Sequence, residues 1–271
     1  MKIFKNKKNL IKHISQIKNL AFVPTMGTLH RGHISLIKEA KKKSKNILVS
    51  IFVNPKQFNS KKDFKKYPRN INKDIKILEK ENIKFLYLPD NKDIYSFKPV
   101  TPIYLHKFSK ELCGKFRPGH FKGVINVVNR FLEIIKPKYL FLGEKDLQQL
   151  ILIQMHIIKN KIKTIVVPCK TLRSNTGIAL SSRNLRLNRK DLKIASKISY
   201  FLHNNKKKII KKLIKNQKKE IIKKIYLLGA KKIDYIEAVS FKKFKIIKRI
   251  KNKLNIFIAY YLNDVRLIDN L

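Results

Sequence analysis

Short apolar runs alternate with helical patterns along the first two thirds of the chain. The runs occupy residues 20–24, 47–53, 85–88, 139–142 and 164–167. The run at 47–53 is almost continuously apolar, which is typical of a parallel strand that is buried on both faces. We therefore predict five parallel strands in this part of the chain.

Between these runs, apolar residues recur at helical spacing. They predict helices at residues 33–43, around 71–78, at 124–135 and from 146 to about 159. The repeated order of strand, helix and strand predicts an α/β fold. We expect a Rossmann-like, doubly wound parallel sheet with helices on both faces.

The pattern changes after about Arg183. Asn188 has the position of an N-cap for the next helix. A long, very basic amphipathic helix is expected at roughly 206–228, and strands are expected at 233–239 and 256–262. Together these elements predict a second, smaller α+β domain.

The junction between the two domains is expected near residues 170–176. We assign residues 1–172 to the Rossmann-like domain and residues 173–271 to a smaller C-terminal lid domain. Apart from the abundance of lysine, the sequence shows no internal repeat and no low-complexity linker.

The chain is strongly basic. Its 64 Lys and Arg residues against 17 Asp and Glu residues give a formal net charge of +47, a balance that suggests nucleic acid or an anionic membrane as a partner. However, the excess is nearly all lysine, is spread along the whole chain and accompanies abundant Ile and Asn, as mutational bias in an AT-rich genome would produce. We therefore expect no specific nucleic-acid partner, although polyanions should bind at low salt.

The sequence shows neither a targeting signal nor a cysteine pattern typical of disulfides or metal sites. Residues 1–14 are interrupted by lysines and contain no signal peptide, and apolar runs such as 256–262 are too short to span a bilayer. Cys113 and Cys169 lie far apart, and two cysteines cannot build a disulfide scaffold. We expect a cytoplasmic protein without a membrane partner. The basic helix at 206–228 fits a membrane surface as one alternative, and a solvated helix packed on a small domain is favoured.

A histidine pair stands between the first predicted strand and the first predicted helix. Residues 24–33 read Pro-Thr-Met-Gly-Thr-Leu-His-Arg-Gly-His. The carboxyl end of a parallel strand is where α/β sheets bind ligands. His30 and His33 can both reach one phosphate group, Gly32 allows close approach of the backbone, and the helix N-terminus attracts anions. An incidental pair of histidines in a loop is the alternative.

Six segments of the chain carry a specific resemblance. In order, they are Met-Gly-Thr-Leu-His-Arg-Gly-His at 26–33, Ile-Phe-Val-Asn-Pro-Lys-Gln-Phe at 51–58, Tyr-Pro-Arg at 67–69, Arg-Pro-Gly-His-Phe-Lys-Gly-Val at 117–124, Gly-Glu-Lys-Asp-Leu-Gln-Gln-Leu at 143–150 and Leu-Ser-Ser-Arg-Asn at 180–184. They resemble the motifs of the pantothenate synthetase family, which belongs to the nucleotidylyl-transferase superfamily with an H-x-G-H signature. The segments occur in the order of that family, at similar spacing, and cover most of residues 21–184; residues 265–270 are also similar to the family's C-terminus.

The resemblance implies an AMP-forming ligase that makes a carbon–nitrogen bond. Such an enzyme condenses (R)-pantoate with β-alanine and ATP through a pantoyl adenylate, within pantothenate and coenzyme A biosynthesis. The residues that would bind ATP lie in the first, fifth and sixth segments, and Leu172 is the one outside them. They are Met26, Gly27, Thr28, Leu29, His30, Arg31, Gly32, His33, Gly143, Glu144, Lys145, Asp146, Leu172, Leu180, Ser181, Ser182 and Arg183.

Three of these residues would be catalytic by the same resemblance. His30 and His33 would bind phosphate, with His33 also described in the family as a proton donor, and Lys145 would neutralise phosphate charge. Ser181, Ser182 and Arg183 would hold the triphosphate. We expect His33 to act chiefly as a phosphate ligand.

The resemblance also implies a second group of ligands. Asn54, Gln57 and Gln149 would hold pantoate, and Gln57 would also hold β-alanine. Neutral amides suit this substrate because they both donate to and accept from hydroxyl groups. The roles of Arg117 and His120 stay open between phosphate contact and positioning of the loop around residues 118–119.

The resemblance further implies Mg²⁺ with ATP, at ligands the sequence does not identify, and a homodimer. Thr176 stands where many family members carry an acidic residue. This departure removes an expected charge pair at the domain junction.

Three other functions remain as alternatives. A relative of the aminoacyl-tRNA synthetases would share the histidine signature, but no large RNA-binding appendage is present. A simple nucleotidylyl transferase would stop at the adenylylated product, whereas the second and fourth segments favour the full synthetase. A basic nucleic-acid-binding protein would need lysines clustered on one face.

Overall fold

The first part of the chain forms the predicted parallel sheet. The structure is a computed structural model and describes residues 1–241 and 254–271. Within these residues the first sheet has six parallel strands in the order β1-β4-β3-β2-β5-β6. Their bounds are β1 Lys2–Phe4, β2 Ala21–Thr25, β3 Ile47–Ile51, β4 Phe85–Tyr87, β5 Tyr139–Gly143 and β6 Ile165–Cys169.

Helices cover both faces of this sheet. The helix at His120–Ile135, α7, is buried along almost its whole length. Its apolar residues belong to the larger hydrophobic core. The helices up to this point and just beyond it are α1 Lys7–Ile14, α2 Arg31–Lys41, α3 Lys61–Lys65, α4 Ile71–Lys80, α5 Asn91–Tyr95, α6 Cys113–Phe116, α7 His120–Ile135 and α8 Leu147–Lys159.

The strand order reverses between β2 and β5. From β2 the chain proceeds through β3 and β4 to one side, whereas β5 and β6 lie on the other side. Ligands of open α/β sheets bind in the crevice at such a switch point, beyond the carboxyl ends of the strands. The loops that follow β2 and β5 contain residues 26–30 and 144–146, so the fold brings the first and fifth segments together.

The last third of the chain forms the predicted second unit. Helices α9 Arg189–Asn204, α10 Lys206–Ile214 and α11 Lys218–Leu227 precede an antiparallel sheet. In the described residues this sheet has the order β7-β8-β9, with bounds β7 Lys232–Ser240, β8 Leu254–Leu262 and β9 Val265–Asn270.

The antiparallel sheet lies between two hydrophobic cores. Along β8, Phe257 and Ala259 belong to the larger core with α7 and α8. The alternating residues Ile256, Ile258 and Tyr260 belong to a second core with α9–α11. Because successive side chains of a strand point to opposite faces, this alternation shows that the sheet joins the two parts of the chain. The domain boundary at 172/173 remains a prediction.

Two predictions of elements were wrong. The single helix at 206–228 is two helices, because Asn216 has a φ of +57° and Gln217 N–H donates back to Lys212 O at 2.9 Å. Asn tolerates this left-handed conformation and commonly ends helices. The main sheet also has a sixth strand, β1, which at three residues is too short to give a periodic signal.

Other elements differ in their bounds. Asn188 is the N-cap of α9, as predicted, and its side chain accepts the Asp191 N–H. Helix α2 begins two residues before the predicted start, and α7 begins at His120 after Gly119, whose φ is +79°. Strand β9 lies where the pattern predicted no strand. No helix in the described ranges is long and apolar enough to span a membrane.

Candidate active site

The two histidines of the H-x-G-H loop cap helix α2 reciprocally. His30 is the N-cap, and its Nδ1 accepts the backbone N–H of Gly32 at 3.1 Å. The backbone N–H of His30 in turn donates to Nδ1 of His33 at 3.3 Å. A backbone N–H is always a donor, so both Nδ1 atoms are unprotonated and the proton of each neutral ring is on Nε2. Both rings therefore keep an Nε2–H donor for a ligand.

Burial keeps these histidines neutral. It lowers the pKa of His30 to about 4, with Lys145 adding to the effect. It lowers the pKa of His33 to about 3, with His30 adding to the effect. At neutral pH the two rings therefore donate hydrogen bonds without contributing positive charge. A neutral imidazole is a weak acid, which argues against His33 as a proton donor.

The fifth segment follows β5 as a short 3₁₀ turn at Glu144–Asp146. Lys145 lies beside Asp146, with Nζ 3.4 Å from Oδ1. The amide of Asn270, at the end of β9, donates to the carbonyls of Glu144 and Lys145, both at 2.8 Å. The C-terminal strand therefore fixes the backbone that carries Lys145.

The two amides of the second segment have different surroundings. The Asn54 side chain is 1% exposed and makes four hydrogen bonds within the protein, from Lys56 N and Tyr95 Oη and to Gly123 O and Gln57 Oε1. Gln57 is partly exposed, and its Nε2 lies 2.7 Å from the sulfur of Met26. Gln57 can therefore exchange a weak partner for a ligand, whereas Asn54 is saturated.

Arg117 and His120 hold the backbone of Gln57. Arg117 Nη2 donates to Gln57 O at 3.2 Å, and His120 Nδ1 lies 2.7 Å from the same oxygen. His120 Nε2 is 3.2 Å from Arg117 Nη1, which is always a donor. Both ring nitrogens of His120 thus have partners inside the protein. Burial lowers the pKa of His120 to about 3, and the positive charge of Arg117 adds to the effect. This geometry favours the positioning role for His120.

The adjacent glutamines on α8 also differ in burial and in their hydrogen-bond partners. Gln148 is buried, and its amide donates to Phe108 O and Glu111 O and accepts the N–H of Cys113. Gln149 is partly exposed and lines the cavity. Of the two, Gln149 is the one available to a substrate.

The sixth segment contains a cation in an ion pair. Arg183 lies in the 3₁₀ turn Ser182–Arg186, which Ser181 caps by accepting the Arg183 N–H at 3.2 Å. Its guanidinium contacts Asp63 at 2.9 Å, and Arg186 contacts the other oxygen of Asp63 at 3.0 Å. Burial raises the pKa of Asp63, but the two arginines outweigh it and hold this pKa below its usual value.

One cavity of about 610 Å³ joins these segments. The predicted ligands that line it are Met26, His30, Gly32, His33, Asn54, Gln57, Gly143, Lys145, Asp146, Gln149, Leu172, Leu180, Ser181, Ser182 and Arg183. Five predicted ATP ligands lie outside its lining, namely Gly27, Thr28, Leu29, Arg31 and Glu144. Arg31 is exposed, Leu29 is buried, and Glu144 meets β9 through its carbonyl.

Sequence reasoning missed two carboxylates at this site. Asp63 pairs with Arg183, and Asp74 accepts hydrogen bonds from the H-x-G-H loop. Asp74 carried a signal: on α4 it lies four residues before Leu78, so the two share the buried face of an amphipathic helix. Asp63 sits among lysines, so its pattern resembles that of a solvated segment.

In the described residues no group of three or more His, Cys, Asp or Glu side chains could hold a metal ion. A dedicated protein cage is therefore not found there. Mg²⁺ does not need one, since it is commonly bound by one or two carboxylates together with substrate phosphates. Asp146, a half-exposed carboxylate in the cavity wall, fits that mode.

Comparisons with known proteins identify the family of this chain. A family model described as pantoate-beta-alanine ligase matches residues 2–271. Pantothenate synthetase from Pseudothermotoga lettingae is 36% identical in an alignment of 273 positions, gaps included, and the alignment covers 97% of this chain and 94% of that protein. Pantothenate synthetase from Francisella tularensis subsp. novicida is 40% identical over 268 residues, covering 96% and 94%.

Solved structures show the same similarity. The crystal structure of pantoate-beta-alanine ligase from Francisella tularensis, complexed with beta-gamma ATP and beta-alanine, has a TM-score of 0.86 and 39% identity, covering 100% of this chain and 97% of that one. Pantothenate synthetase from Thermus thermophilus has a TM-score of 0.88 and 27% identity, covering 100% and 99%. The chain therefore belongs to the pantoate-beta-alanine ligase family, also called the pantothenate synthetases.

Proposed function

We propose that this chain uses ATP to join (R)-pantoate to β-alanine, giving pantothenate, AMP and pyrophosphate through a pantoyl adenylate. One observation carries the proposal. A single cavity at the switch point of the parallel sheet is lined by the predicted phosphate ligands His30, His33, Lys145 and residues 181–183, and also by the amides of Gln57 and Gln149. A site with both sets of groups suits a nucleotide and a polyhydroxy acid that react with each other.

The nucleotide is assigned to the side of the cavity with His30, His33, Lys145 and Arg183. The two imidazoles donate through Nε2–H, and the two cations neutralise the phosphates. Leu172 and the Ser181–Ser182 pair complete this side. The guanidinium of Arg183 is already paired with Asp63. To bind the triphosphate, Arg183 therefore exchanges this carboxylate for a phosphate oxygen.

Pantoate is assigned to Gln57 and Gln149. Their amides match its two hydroxyls and its carboxylate, and Gln57 also meets the incoming β-alanine. Asn54 serves this subsite indirectly, because its four internal hydrogen bonds fix Gln57 and the turn that carries it. Arg117 and His120 fix the same turn through the Gln57 carbonyl.

In the first step the pantoate carboxylate attacks the α-phosphorus of ATP, and pyrophosphate leaves. This step needs no base, because a carboxylate is ionised at pH 7. It needs in-line positioning and positive charge near the phosphates. Lys145 and Arg183 supply that charge.

In the second step the amine of β-alanine attacks the acyl carbon, and AMP leaves. The amine loses a proton in this step. Neither His30 nor His33 offers a free lone pair for it, since each Nδ1 already accepts a backbone N–H. The histidines are therefore assigned to phosphate binding in both steps.

The proposal also includes Mg²⁺, a homodimer and a cytoplasmic location. Asp146 would hold Mg²⁺ together with the phosphates, and the ion would supply further neutralisation of phosphate charge. Cys113 and Cys169 are both buried, and a chain of this length with only two cysteines fits a reducing compartment. Light scattering on the purified chain measures its mass and tests the dimer.

A product assay with each substrate omitted in turn tests the function. AMP formation should require ATP, pantoate and β-alanine together, while exchange of labelled pyrophosphate into ATP should require pantoate alone. Exchange supported by an α-amino acid in place of pantoate would overturn the proposal. Full-rate release of pyrophosphate without β-alanine, with pantoyl adenylate as the end product and no AMP, would instead indicate a nucleotidylyl transferase that stops at the adenylate.

A further inference from the structure

A buried carboxylate on α4 lies directly behind the H-x-G-H loop. The side chain of Asp74 is 1% exposed. Its Oδ2 accepts the backbone N–H of Thr28 at 2.8 Å, and its Oδ1 accepts the backbone N–H of Leu29 at 2.7 Å. We propose that Asp74 is a positioning residue for ATP: it sets the conformation of the loop that places His30. This inference rests on the proposed function, in which that loop binds the nucleotide.

The loop has a conformation that needs external support. Gly27 and Thr28 have φ values of +80° and +53°. Left-handed backbone suits glycine, but it is strained for a β-branched residue such as threonine. Such strain persists only where the surroundings impose it. The two hydrogen bonds to the Asp74 carboxylate hold the backbone N–H groups of Thr28 and Leu29 in place.

Other bonds converge on the same residue. The hydroxyl of Thr28 donates to Pro68 O at 2.7 Å, and the carbonyl of Thr28 lies 3.5 Å from the hydroxyl of Ser182. Thr28 thereby links the third and sixth segments to the first. Asp74 is the charged member of this set, and charge-assisted hydrogen bonds are the stronger ones.

The position of His30 follows from this support. His30 comes one residue after Leu29, whose N–H is held by Asp74, and it caps α2 through Gly32. A shift of residues 28–29 would move the His30 ring and the first N–H groups of α2 together. Burial raises the pKa of Asp74 despite its two backbone hydrogen bonds, so the fold retains this carboxylate at a cost.

Electrostatics and positioning predict opposite effects of removing the charge. Asp74→Asn keeps the size of the side chain but deletes a negative charge near an anionic ligand, which by Coulomb's law alone would tighten ATP binding. Positioning predicts weaker binding, because the amide NH₂ must face one of the two backbone N–H groups. The direction of the change therefore identifies the role.

The experiment compares Asp74→Asn with Asp93→Asn in the full chain. Asp93 is a matched control: like Asp74 it accepts two hydrogen bonds, but these come from the backbone N–H of Lys7 and the hydroxyl of Tyr87, outside the H-x-G-H loop. Calorimetry measures binding of a non-hydrolysable ATP analogue, steady-state kinetics give KM for ATP and for pantoate, and urea unfolding gives stability. Asp74→Ser, which leaves room for water at both N–H groups, is measured in parallel. It replaces Asp74→Asn in the comparison if Asp74→Asn does not fold.

Asp74→Asn should weaken ATP-analogue binding about tenfold or more, as expected for loss of a charge-assisted hydrogen bond. KM for pantoate should change less than about twofold, and Asp93→Asn should lose stability without losing ATP affinity. Unchanged or tighter ATP binding by folded Asp74 variants overturns the inference and leaves the proposed function intact. If the unmodified chain itself does not bind the analogue, the proposed function fails and this inference fails with it.

Discussion

At the residue scale, the positive charge of the cavity comes from side chains other than its histidines. His30 and His33 are neutral because burial lowers their pKa values to about 4 and about 3. Lys145 and Arg183 are cations. Arg183 lies 2.9 Å from Asp63, whereas Lys145 lies 3.4 Å from Asp146 and is the more loosely paired of the two. Lys145 is therefore the group with the largest expected effect on charge that develops during pyrophosphate departure.

Lys145→Ala should separate the two half-reactions. Loss of one fixed cation from a water-poor site costs roughly 3–4 kcal/mol of transition-state stabilisation, or on the order of 10²–10³ in rate. Adenylate formation, measured by pyrophosphate exchange, should fall by that factor. The reaction of pre-made pantoyl adenylate with β-alanine should keep most of its rate, because pyrophosphate is absent.

Both rates should be measured on one folded sample, checked by circular dichroism. An unimpaired first step would remove Lys145 from the site. Equal damage to both steps would mean that Lys145 contacts the adenylate group that the steps share.

His33→Gln tests the neutral state of the histidine through stability. The folded chain keeps His33 neutral down to a pKa of about 3, whereas the unfolded chain protonates it near 6.5. The unfolded state thus binds more protons below pH 6.5, and folding stability falls with pH by up to about 1.4 kcal/mol per pH unit from this residue. Glutamine at the third helical position keeps the capping bond to the His30 N–H without titrating.

Urea unfolding at pH 7.5, 6.5 and 5 measures the effect. Between pH 6.5 and 5 the unmodified chain should lose roughly 2 kcal/mol more than His33→Gln. Parallel pH profiles for the two proteins would show that His33 is not held neutral by the fold.

At the element scale, long periodic segments were predictable and short or strained ones were not. Helices α7 and α8 carry apolar residues at helical spacing, so their existence followed from the sequence. Strand β1 has three residues and gives no period. The break between α10 and α11 depends on one left-handed residue, Asn216, which a continuous basic amphipathic pattern conceals.

Close packing of two elements positions Gln57, which we propose as a pantoate ligand. A Cβ added to Gly123 on α7 would lie 2.1 Å from the backbone oxygen of Lys56. Gly123→Ala should therefore displace the turn Pro55–Gln57 and move Gln57. Overpacking of this kind costs about 1–3 kcal/mol of stability, and KM for pantoate should rise by roughly tenfold, the factor that corresponds to about 1.4 kcal/mol of binding free energy.

Steady-state kinetics and urea unfolding check this prediction. The neighbouring exposed residue supplies the control, since Lys122→Ala adds no atom at the contact. An unchanged KM for pantoate in folded Gly123→Ala would show that the turn does not position the substrate.

At the scale of the whole molecule, the sequence indicated which segments meet but not which side chains act directly. Fifteen of the residues inferred from the resemblance line one cavity, because the topology places the loops after β2 and β5 together. Asn54 and His120 belong to the same segments, yet their hydrogen bonds are used within the protein. That distinction depends on burial and partners, which residue type does not reveal.

The supporting carboxylates were missed for a related reason. Asp63 and Asp74 act through contacts with residues 120 and 46 positions away along the chain. A local pattern can place Asp74 on the inner face of α4, but it cannot identify the backbone N–H groups behind that face. The ion pair of Arg173 with Asp269, at 2.7 Å, is likewise a contact near the predicted junction that no local pattern showed.

The formal net charge of +47 should make the chain bind polyanions at low salt whatever their sequence. A protein that neutralises Z phosphates of duplex DNA loses affinity with a log–log salt slope of about −0.9Z, so charge-driven binding weakens by about 10³–10⁵ between 50 and 200 mM salt for six to ten contacts. If the lysines reflect composition and not recognition, two DNA duplexes of unrelated sequence should bind equally at 50 mM salt. Both should be released by 200 mM.

Fluorescence anisotropy with labelled duplexes measures both quantities, and an RNA hairpin extends the comparison. Pantothenate formation should continue at 200 mM salt, because the cavity is a local site in which Lys145 and Arg183 are partly buried and are screened less than exposed lysines. Binding that persists at 200 mM salt and distinguishes the sequences would require base contacts in addition to phosphate contacts. In that case the lysine-rich surface would be a second functional site, and the interpretation of the charge as composition would be wrong.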